Sequence, residues 1–237
     1  MSSIPATLVV KGLNAFYGRA QILFDVGLTV APGEVVALMG RNGAGKSTTM
    51  KAIMGLLEGS QGSIQYGGKE LLNEQAFQIN RLGIGYVPED RRVFTELTVL
   101  ENLEVARRAS SNPTFTVAKL FSLFPNLAEM PNRLGGRMSG GEQQMLTVAR
   151  TLMGNPCLVL LDEPSEGVAP IIVENMIEAV MALKDAGIGV LLSEQNVPFA
   201  AEVADRAYVL EKGQVKFDGS LNELMANDAL RRQYLTI

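Results

Sequence analysis

The sequence contains no histidine and only one cysteine among its 237 residues. Without an imidazole, no side chain has an ordinary pKa close to neutral pH. A lone cysteine excludes an internal disulfide framework, so Cys157 is expected to be a small buried residue beside a core strand. These absences permit a reducing compartment.

Long hydrophobic runs are missing as well. No apolar stretch approaches the roughly 18 residues that span a bilayer, and the N-terminus lacks a basic segment followed by an apolar one. The formal charge of -4 and the lack of a basic stripe argue against nucleic acid as a partner. The pair Arg91-Arg92 is interpreted as a solvated loop or a protein contact. We therefore expect a soluble protein that contacts a membrane only through a partner.

The first part of the chain predicts strands and then a helix. Residues 8–30 mix short β-like runs with glycines, which indicates antiparallel strands. Val35–Met39 is a continuous apolar run, typical of a parallel strand covered on both faces. The next helix is predicted from apolar residues at positions i, i+3, i+4 and i+7, namely Met50, Ile53, Met54 and Leu57. Gly59 and Gly62 are expected to end it.

The middle of the chain changes character at Pro88, and residues 98–152 have a helical pattern. Thr98 and Glu101 have the spacing of a capping box. Two apolar stripes follow, formed by Val117, Leu120, Phe121 and Phe124 and by Met145, Val148, Ala149 and Leu152. We predict an inserted helical subdomain over about residues 89–154 within a single domain that spans residues 1–237.

The last part of the chain predicts a return to a parallel sheet. Strands are expected at residues 158–161 and 190–192. The helix between them is predicted from Val173, Met176, Ile177 and Val180. Residues 208–217 suggest a hairpin that turns at Lys212-Gly213. No internal repeat is visible.

A glycine-rich loop lies between the predicted strand at Val35–Met39 and the helix after it. The loop fits G-x-x-x-x-G-K-[ST] and reads Gly40-Arg41-Asn42-Gly43-Ala44-Gly45-Lys46-Ser47. In such loops backbone N–H groups surround phosphates, Lys46 reaches the β- and γ-phosphates, and Ser47 binds Mg²⁺. Thr48 is included among the candidate nucleotide-binding residues. The alternative is a glycine turn that happens to precede a helix.

Two carboxylates end the apolar strand at residues 158–161. One carboxylate there can hold Mg²⁺, and a second can orient and deprotonate an attacking water. We assign Asp162 to the metal and Glu163 to the water. The alternative is that residues 162–165 only end the strand with solvated turn residues and cap the next helix.

The segment Ser139-Gly140-Gly141-Glu142 supports two compatible interpretations. Ser-x-x-Glu is a capping box and explains the start of the helix after it. The two glycines remove side chains from a helix N-terminus, where backbone N–H groups point outward and an anion can bind. We therefore expect both a cap and a ligand contact.

The order of these motifs resembles the ATP-binding cassette of ABC transporters. The resemblance covers essentially the whole chain and is sharpest at residues 85–94, 138–146, 162–170 and 193–196. These segments are similar to the ATP-binding subunit of branched-chain, or more broadly hydrophobic, amino-acid importers. The resemblance implies an α/β P-loop NTPase fold, with a RecA-like parallel sheet core, an N-terminal antiparallel β subdomain and the inserted helical subdomain.

The resemblance also implies cofactors and partners. ATP and Mg²⁺ are the expected cofactors. A second ATP-binding subunit, in a homodimer or a heterodimer, would pair head to tail, so that residues 139–142 of one subunit bind the γ-phosphate held by the other. The transmembrane permease would contact the helical subdomain and residues 89–94, while a solute-binding protein is met only indirectly. The expected location is cytoplasmic, on the inner face of the membrane.

Several positions depart from the general cassette pattern. Glu89 stands where most cassettes have a glutamine that senses Mg²⁺, Glu142 replaces a glutamine, and Ala169 replaces an aspartate. Gln195 aligns with the switch histidine; it can donate a hydrogen bond but cannot carry a positive charge. We therefore predict slow or partner-dependent hydrolysis without a histidine-like pH step near neutrality. Tyr17 resembles the aromatic residue that stacks on adenine, and the alternative is an ordinary half-buried strand tyrosine.

Three classes of function remain open at this point. The first is a transport ATPase. The second is a soluble ABC ATPase that acts on ribosomes or DNA, which is disfavoured because such proteins tend to carry tandem cassettes or long coiled coils. The third is a nucleotide-binding interaction subunit that has lost turnover, in which Glu89 is a solvated loop acid and Gln195 an ordinary polar residue. A small-molecule kinase is disfavoured because it leaves residues 139–142 unexplained.

Overall fold

The computed structural model describes residues 6–108 and 114–235. The strands in these residues are, in chain order, β1 (Leu8–Tyr17), β2 (Ala20–Val30), β3 (Val35–Met39), β4 (Gly59–Tyr66), β5 (Lys69–Glu70), β6 (Ile84–Val87), β7 (Leu158–Asp162), β8 (Gly189–Glu194), β9 (Arg206–Glu211) and β10 (Gln214–Ser220).

The helices in the same residues alternate with the strands in the C-terminal half and cluster in the middle of the chain. They are α1 (Lys46–Ile53), α2 (Ala76–Arg81), α3 (Val99–Ala106), α4 (Val117–Leu123), α5 (Pro125–Ala128), α6 (Gly140–Met153), α7 (Pro170–Asp185), α8 (Val197–Val203), α9 (Leu221–Ala226) and α10 (Asp228–Tyr234). A short 3-10 helix covers Gly135–Arg137. Within the described ranges, no helix is both long and apolar enough to cross a bilayer.

The N-terminal sheet is antiparallel and has the order β2-β1-β4-β5. Leu8 pairs with Val30 and Tyr17 with Ala20, which confirms the antiparallel strands predicted for residues 8–30. Strand β4 was missed, because its glycines were expected to end a helix. Gly62 instead lies in the sheet, where a Cβ would overlap the Gly12 carbonyl.

Helix α1 begins at Lys46 and ends at Ile53, so the prediction that it continues to Gly59 is wrong. The chain leaves the helix at Gly55, whose φ of 63° is in the left-handed region. A Cβ at Gly55 would overlap the Glu74 carbonyl oxygen. Leu57 therefore packs against the core from outside the helix.

The second sheet has the order β10-β9-β3-β8-β7-β6. Strands β6, β7, β8, β3 and β9 are parallel, and β10 pairs antiparallel with β9 at the edge. Every residue of β3, β7 and β8 is buried, which confirms strands covered on both faces. The predicted hairpin is also confirmed, since Lys212 and Gly213 form a two-residue turn with φ angles of 48° and 76°.

The strand order brings three loops to one edge. Because parallel strands end on the same side of a sheet, the residues after β3, β7 and β8 lie next to one another. These are the glycine-rich loop, Glu163, which follows Asp162 at the end of β7, and Gln195. The fold therefore assembles the predicted site from segments that are far apart in the sequence.

The middle of the chain contains the predicted helical elements. The capping boxes at Thr98–Glu101 and Ser139–Glu142 both form. The stripe on α6 is buried in full, and on α4 Leu120 is buried while Val117 and Phe121 are partly buried. Phe124 is buried just beyond the end of α4. The assignment of residues 89–154 as a separate subdomain stays a prediction.

The single cysteine is less buried than expected. Cys157 directly precedes β7, beside the core as predicted, but it is only partly buried.

Candidate functional site

The glycine-rich loop connects β3 directly to α1. Gly40 has a φ of 148°, and a Cβ there would overlap the Leu210 carbonyl oxygen. Gly45 has a φ of 111°, and a Cβ would lie 2.6 Å from Cδ2 of Leu23. Both positions require glycine for conformation and for space. The loop therefore delivers the free N–H groups of the α1 N-terminus to the edge of the sheet.

Lys46 is buried at the first position of α1. Its Nζ donates to the carbonyl oxygens of Gly40 at 2.8 Å and Arg41 at 3.2 Å, so the side chain curls back over the loop. The same Nζ lies 3.0 Å from Oε1 of Glu163. The ammonium group is thus held where the loop and the second carboxylate meet.

Ser47 and Asp162, two of the predicted metal ligands, contact each other through their side chains. Ser47 Oγ donates to Oδ1 of Asp162 at 3.0 Å, and Tyr86 OH donates to Oδ2 at 3.2 Å. Burial raises the pKa of Asp162, and the hydrogen bonds from Ser47 and Tyr86 oppose that effect. Tyr86 was not singled out from the sequence as an Asp162 partner, because this contact joins two neighbouring strands.

These oxygen donors fit Mg²⁺. The structure contains no cluster of three or more acidic, histidine or cysteine residues that could enclose a metal ion, within residues 6–108 and 114–235. Mg²⁺ does not need one, since it commonly takes one or two carboxylates together with water and substrate phosphates. A hydroxyl and a carboxylate 3.0 Å apart beside a phosphate loop match that donor set.

Glu163 and Gln195, the two predicted catalytic residues, contact each other. Glu163 has a left-handed φ of 49°, and its N–H donates to the Ser193 carbonyl at 3.0 Å. Gln195 Nε2 donates to Oε2 of Glu163 at 3.0 Å and to Oδ1 of Asn42 at 2.7 Å. The amide therefore connects the glycine-rich loop to the carboxylate.

The pKa of Glu163 is lowered overall. Burial acts to raise it, but hydrogen bonds from Glu166, Lys46 and Gln195 and the charge of Lys46 outweigh burial. Glu163 is therefore ionised at neutral pH, which is the form that can accept a proton from water.

A cavity of about 310 Å³ is lined by half of the predicted nucleotide-binding residues, together with Ile22, Glu89 and Glu163. It is lined by Tyr17, Ile22, Asn42, Gly43, Gly45, Lys46, Ser47, Thr48, Glu89 and Glu163. Tyr17, at the end of β1, has 48% of its surface exposed, so its ring is accessible from this cavity. Glu89 reaches the same cavity from the segment after β6.

Residues 139–142 do not line this cavity of their own chain. Ser139 Oγ accepts from the Glu142 N–H at 3.4 Å, and Glu142 Oε2 accepts from the Ser139 N–H at 2.7 Å. Gly140 and Gly141 occupy the first two helical positions, where a Cβ would meet Arg91 and Ile172 respectively. The N-terminus of α6 is thus capped, closely packed and outside the lining of the nucleotide cavity.

A family model described as ABC transporter matches residues 23–166, which is more than half of the chain. The chain belongs to the ABC transporter family. It is similar to the high-affinity branched-chain amino acid transport ATP-binding protein BraG of Pseudomonas aeruginosa, at 44% identity over 94% of this chain and 97% of the relative. It is also similar to the lipopolysaccharide export system ATP-binding protein LptB of Haemophilus influenzae, at 34% identity over 96% of each. A solved structure of an ATP binding subunit of an ABC transporter matches with a TM-score of 0.83, at 32% identity over 94% of both chains.

These findings confirm the predicted fold class and the ATPase activity of the cassette. They exclude the small-molecule kinase alternative. An ABC ATP-binding subunit works with transmembrane permease components, and ATP is its nucleotide.

Sequence reasoning missed one ionisable group of the cassette. Glu166 follows Glu163 in a turn in which the Glu166 N–H donates to the Glu163 carbonyl at 3.2 Å. The hydrogen bond between the two carboxyl groups, together with burial and the nearby charges of Glu163, Glu89 and Glu194, raises the pKa of Glu166 to about 7. A group with a pKa near 7 is therefore present although the chain has no histidine. The absence of a histidine-like pH step in the ATPase rate stays a prediction. Two acids three residues apart were the signal in the sequence.

The raised pKa of Glu166 predicts a pH-dependent stability difference. The folded cassette keeps this proton up to about pH 7, whereas an unfolded glutamate releases it near 4.5. The stabilisation is complete below pH 4.5 and is lost as the pH rises through 7. Glu166→Gln should therefore gain stability relative to the parent between these limits, by a small amount because the carboxyl is exposed. Urea unfolding of both proteins from pH 4.5 to 7 measures the difference in their free energy of unfolding. A difference that does not change with pH would contradict the prediction.

Proposed function

We propose that this cassette binds Mg-ATP and hydrolyses it as one of two paired subunits, and that the pair powers import of branched-chain or other hydrophobic amino acids. One observation carries the proposal. The phosphate loop, Asp162, Glu163 and Gln195 meet at one edge of the sheet, whereas residues 139–142 lie apart from that cavity. In this proposal one chain supplies the phosphate loop, the metal ligands and the base, and a second subunit supplies residues 139–142 to the same nucleotide.

The phosphate loop holds the triphosphate. Backbone N–H groups and the N-terminus of α1 bind the phosphate oxygens, and Lys46 adds a positive charge. Ser47 and Asp162 hold Mg²⁺, with Glu89 as a further oxygen donor at the cavity wall. When bound, Mg²⁺ neutralises charge that develops on the phosphate oxygens. Tyr17 offers its exposed ring to the adenine.

Glu163 acts as the base. Its ionised carboxylate accepts a proton from the water that attacks the γ-phosphate. Gln195 fixes the direction of the carboxylate through Oε2, and Lys46 holds Oε1. Gln195 also donates to Asn42, so an uncharged amide links the position of the glycine-rich loop to that of the Glu163 carboxylate.

The paired arrangement follows from the position of α6. Its N-terminus carries N–H groups that suit an anion, yet it does not line the nucleotide cavity of its own chain. A second cassette, identical or different, can present Ser139, Gly140, Gly141 and Glu142 to the γ-phosphate held by Lys46. Contacts made with ATP but not with ADP then close and open the pair.

The permease has a suitable surface beside the nucleotide cavity. A groove of about 510 Å³ is lined by Lys51, Leu56, Tyr86, Pro88, Glu89, Asp90, Arg92, Arg150 and Asp162. Nearby Phe94 is exposed and has the Arg150 guanidinium 4.8 Å from its ring centre. A mixed apolar and charged groove is what a helix from a membrane subunit can fill. Docking there would hold the cassette on the inner face of the membrane. Asp162 and Glu89, two of the predicted metal ligands, also line the groove, so they connect it to the proposed Mg²⁺ site.

Import of branched-chain amino acids is favoured over lipopolysaccharide export by the higher identity to BraG, 44% against 34% for LptB. The test is reconstitution of the cassette with the permease subunits encoded beside it in proteoliposomes. We expect a low ATPase rate for the cassette alone, a severalfold increase with the permease, and ATP-dependent leucine uptake when the solute-binding protein is present.

Three outcomes would contradict parts of this proposal. Stimulation by lipopolysaccharide without leucine uptake would favour the export alternative. ATP binding without hydrolysis, even with the permease, would favour an interaction subunit that has lost turnover. Stimulation by ribosomes or DNA would favour a soluble ABC ATPase.

A further inference from the structure

Arg91 links two segments that the proposed mechanism uses separately. It lies in the segment after β6, and its Nη2 donates to the carbonyl oxygens of Glu166 at 3.0 Å and Gly167 at 3.3 Å. These carbonyls belong to the loop that begins at Glu163. One guanidinium thus holds the loop of the catalytic carboxylate from a distance of 75 residues in the sequence.

The same guanidinium also packs against the start of α6. A Cβ added to Gly140 would overlap Nη1 of Arg91, and one added to Gly167 would lie 3.4 Å from Nη2. A positive charge at a helix N-terminus is electrostatically unfavourable. The carbonyl contacts, and not the helix dipole, therefore account for the position of Arg91, and Gly140 leaves room for it.

The backbone at Arg91 is also unusual. Its φ of 45° lies in the left-handed region, which non-glycine residues rarely adopt, and its carbonyl accepts from the Val93 N–H at 2.8 Å. This tight turn fixes where the side chain points. A planar guanidinium can bond two adjacent carbonyls at once, which a lysine ammonium does with less geometric control.

We propose that Arg91 is a positioning residue that fixes the Glu163 turn relative to the N-terminus of α6, so that the base and the surface offered to the second subunit keep one relative arrangement. This inference rests on the proposed ATPase mechanism. Asp90 and Arg92, on either side of Arg91, line the proposed permease groove, so Arg91 also connects the edge of that groove to the loop that follows Glu163.

The test compares steady-state ATP hydrolysis by the full chain and by Arg91→Ala and Arg91→Lys. Misplacing a catalytic group by about 1 Å can cost roughly 100-fold, so Arg91→Ala should lower kcat by about 10- to 100-fold. KM for ATP should not change, because Arg91 does not line the phosphate cavity. Arg91→Lys should recover part of the loss.

Arg107→Ala is the matched control, since Arg107 pairs with Glu104 on an exposed helix surface, and its kcat should equal that of the parent.

Amide hydrogen exchange provides a second readout that does not require turnover. Arg91→Ala should increase exchange at residues 166–168, and Arg107→Ala should not. An unchanged kcat for Arg91→Ala would overturn the inference, as would a parallel loss of ATP affinity and thermal stability, which would indicate only a structural contact. If the parent chain hydrolyses no ATP even with the permease, the proposed function fails; unchanged exchange at residues 166–168 in Arg91→Ala would overturn the Arg91 inference separately.

Discussion

Glu163→Gln is expected to lower ATP turnover by about 10²- to 10⁴-fold, the usual contribution of a general base. Glutamine has nearly the same shape, so its amide oxygen can still accept from Lys46, but it cannot take a proton from water. ATP should bind as it does to the parent, and the closed pair should accumulate because hydrolysis no longer resets it. Turnover is measured by phosphate release, and pairing by light scattering with and without Mg-ATP.

The control for this variant is Glu178→Gln, which makes the same charge change on an exposed position of α7. It should keep the parent rate and should not accumulate a pair. If Glu163→Gln turns over at the parent rate, Glu163 is not the base. If it loses ATP binding together with turnover, the carboxylate contributes to binding and not to the chemical step.

Lys46→Met is expected to weaken ATP binding by at least about 30-fold. Removing one partner of a desolvated charged contact costs about 2–5 kcal/mol, and about 1.4 kcal/mol corresponds to a factor of ten. Lys46 is buried and lies over the loop, so its charge is close to the bound phosphates. The variant also leaves Glu163 without its ion-pair partner. Calorimetric titration with Mg-ATP measures the affinity.

The matched control is Lys119→Met, which removes a lysine from an exposed position on α4. Circular dichroism should show both variants folded, so that a loss of affinity is assigned to the site. An affinity equal to that of the parent in Lys46→Met would mean that the buried lysine serves the fold and not the phosphates.

The parts of the fold that the sequence predicted are those with a local pattern. The apolar runs before Gly40 and Asp162 are long enough for a buried strand, and each is followed by residues that match a nucleotide-site motif. The helix-start signals at Thr98 and Ser139 are equally local, because a cap bonds residues three apart. These elements could be placed without knowledge of their neighbours.

The errors have a different origin. Gly62 was expected to stop a helix, but its role is set by the backbone of Gly12 across the sheet. Glycine signals both a helix end and a close approach of two strands, and only the partner distinguishes them. The position of β4 therefore depends on a pairing that no local pattern in residues 59–66 reveals.

The site divides in the same way. Lys46, Ser47, Asp162 and Glu163 belong to local motifs, and Gln195 was placed by resemblance. The roles of Tyr86, Arg91 and Glu166 depend on contacts between separate segments, such as the bond from Arg91 to the Glu166 carbonyl. Such partners follow from the strand order, which the sequence indicates only in outline.

The central claim is that two chains enclose each nucleotide. A structure of the Glu163→Gln variant with Mg-ATP tests it most directly. The account predicts two ATP molecules at a head-to-tail interface, each with its γ-phosphate between Lys46 of one chain and Ser139 of the other. Two results would contradict the account. In one, residues 139–142 bind the γ-phosphate held by their own chain. In the other, residues 139–142 of both chains lie far from either γ-phosphate.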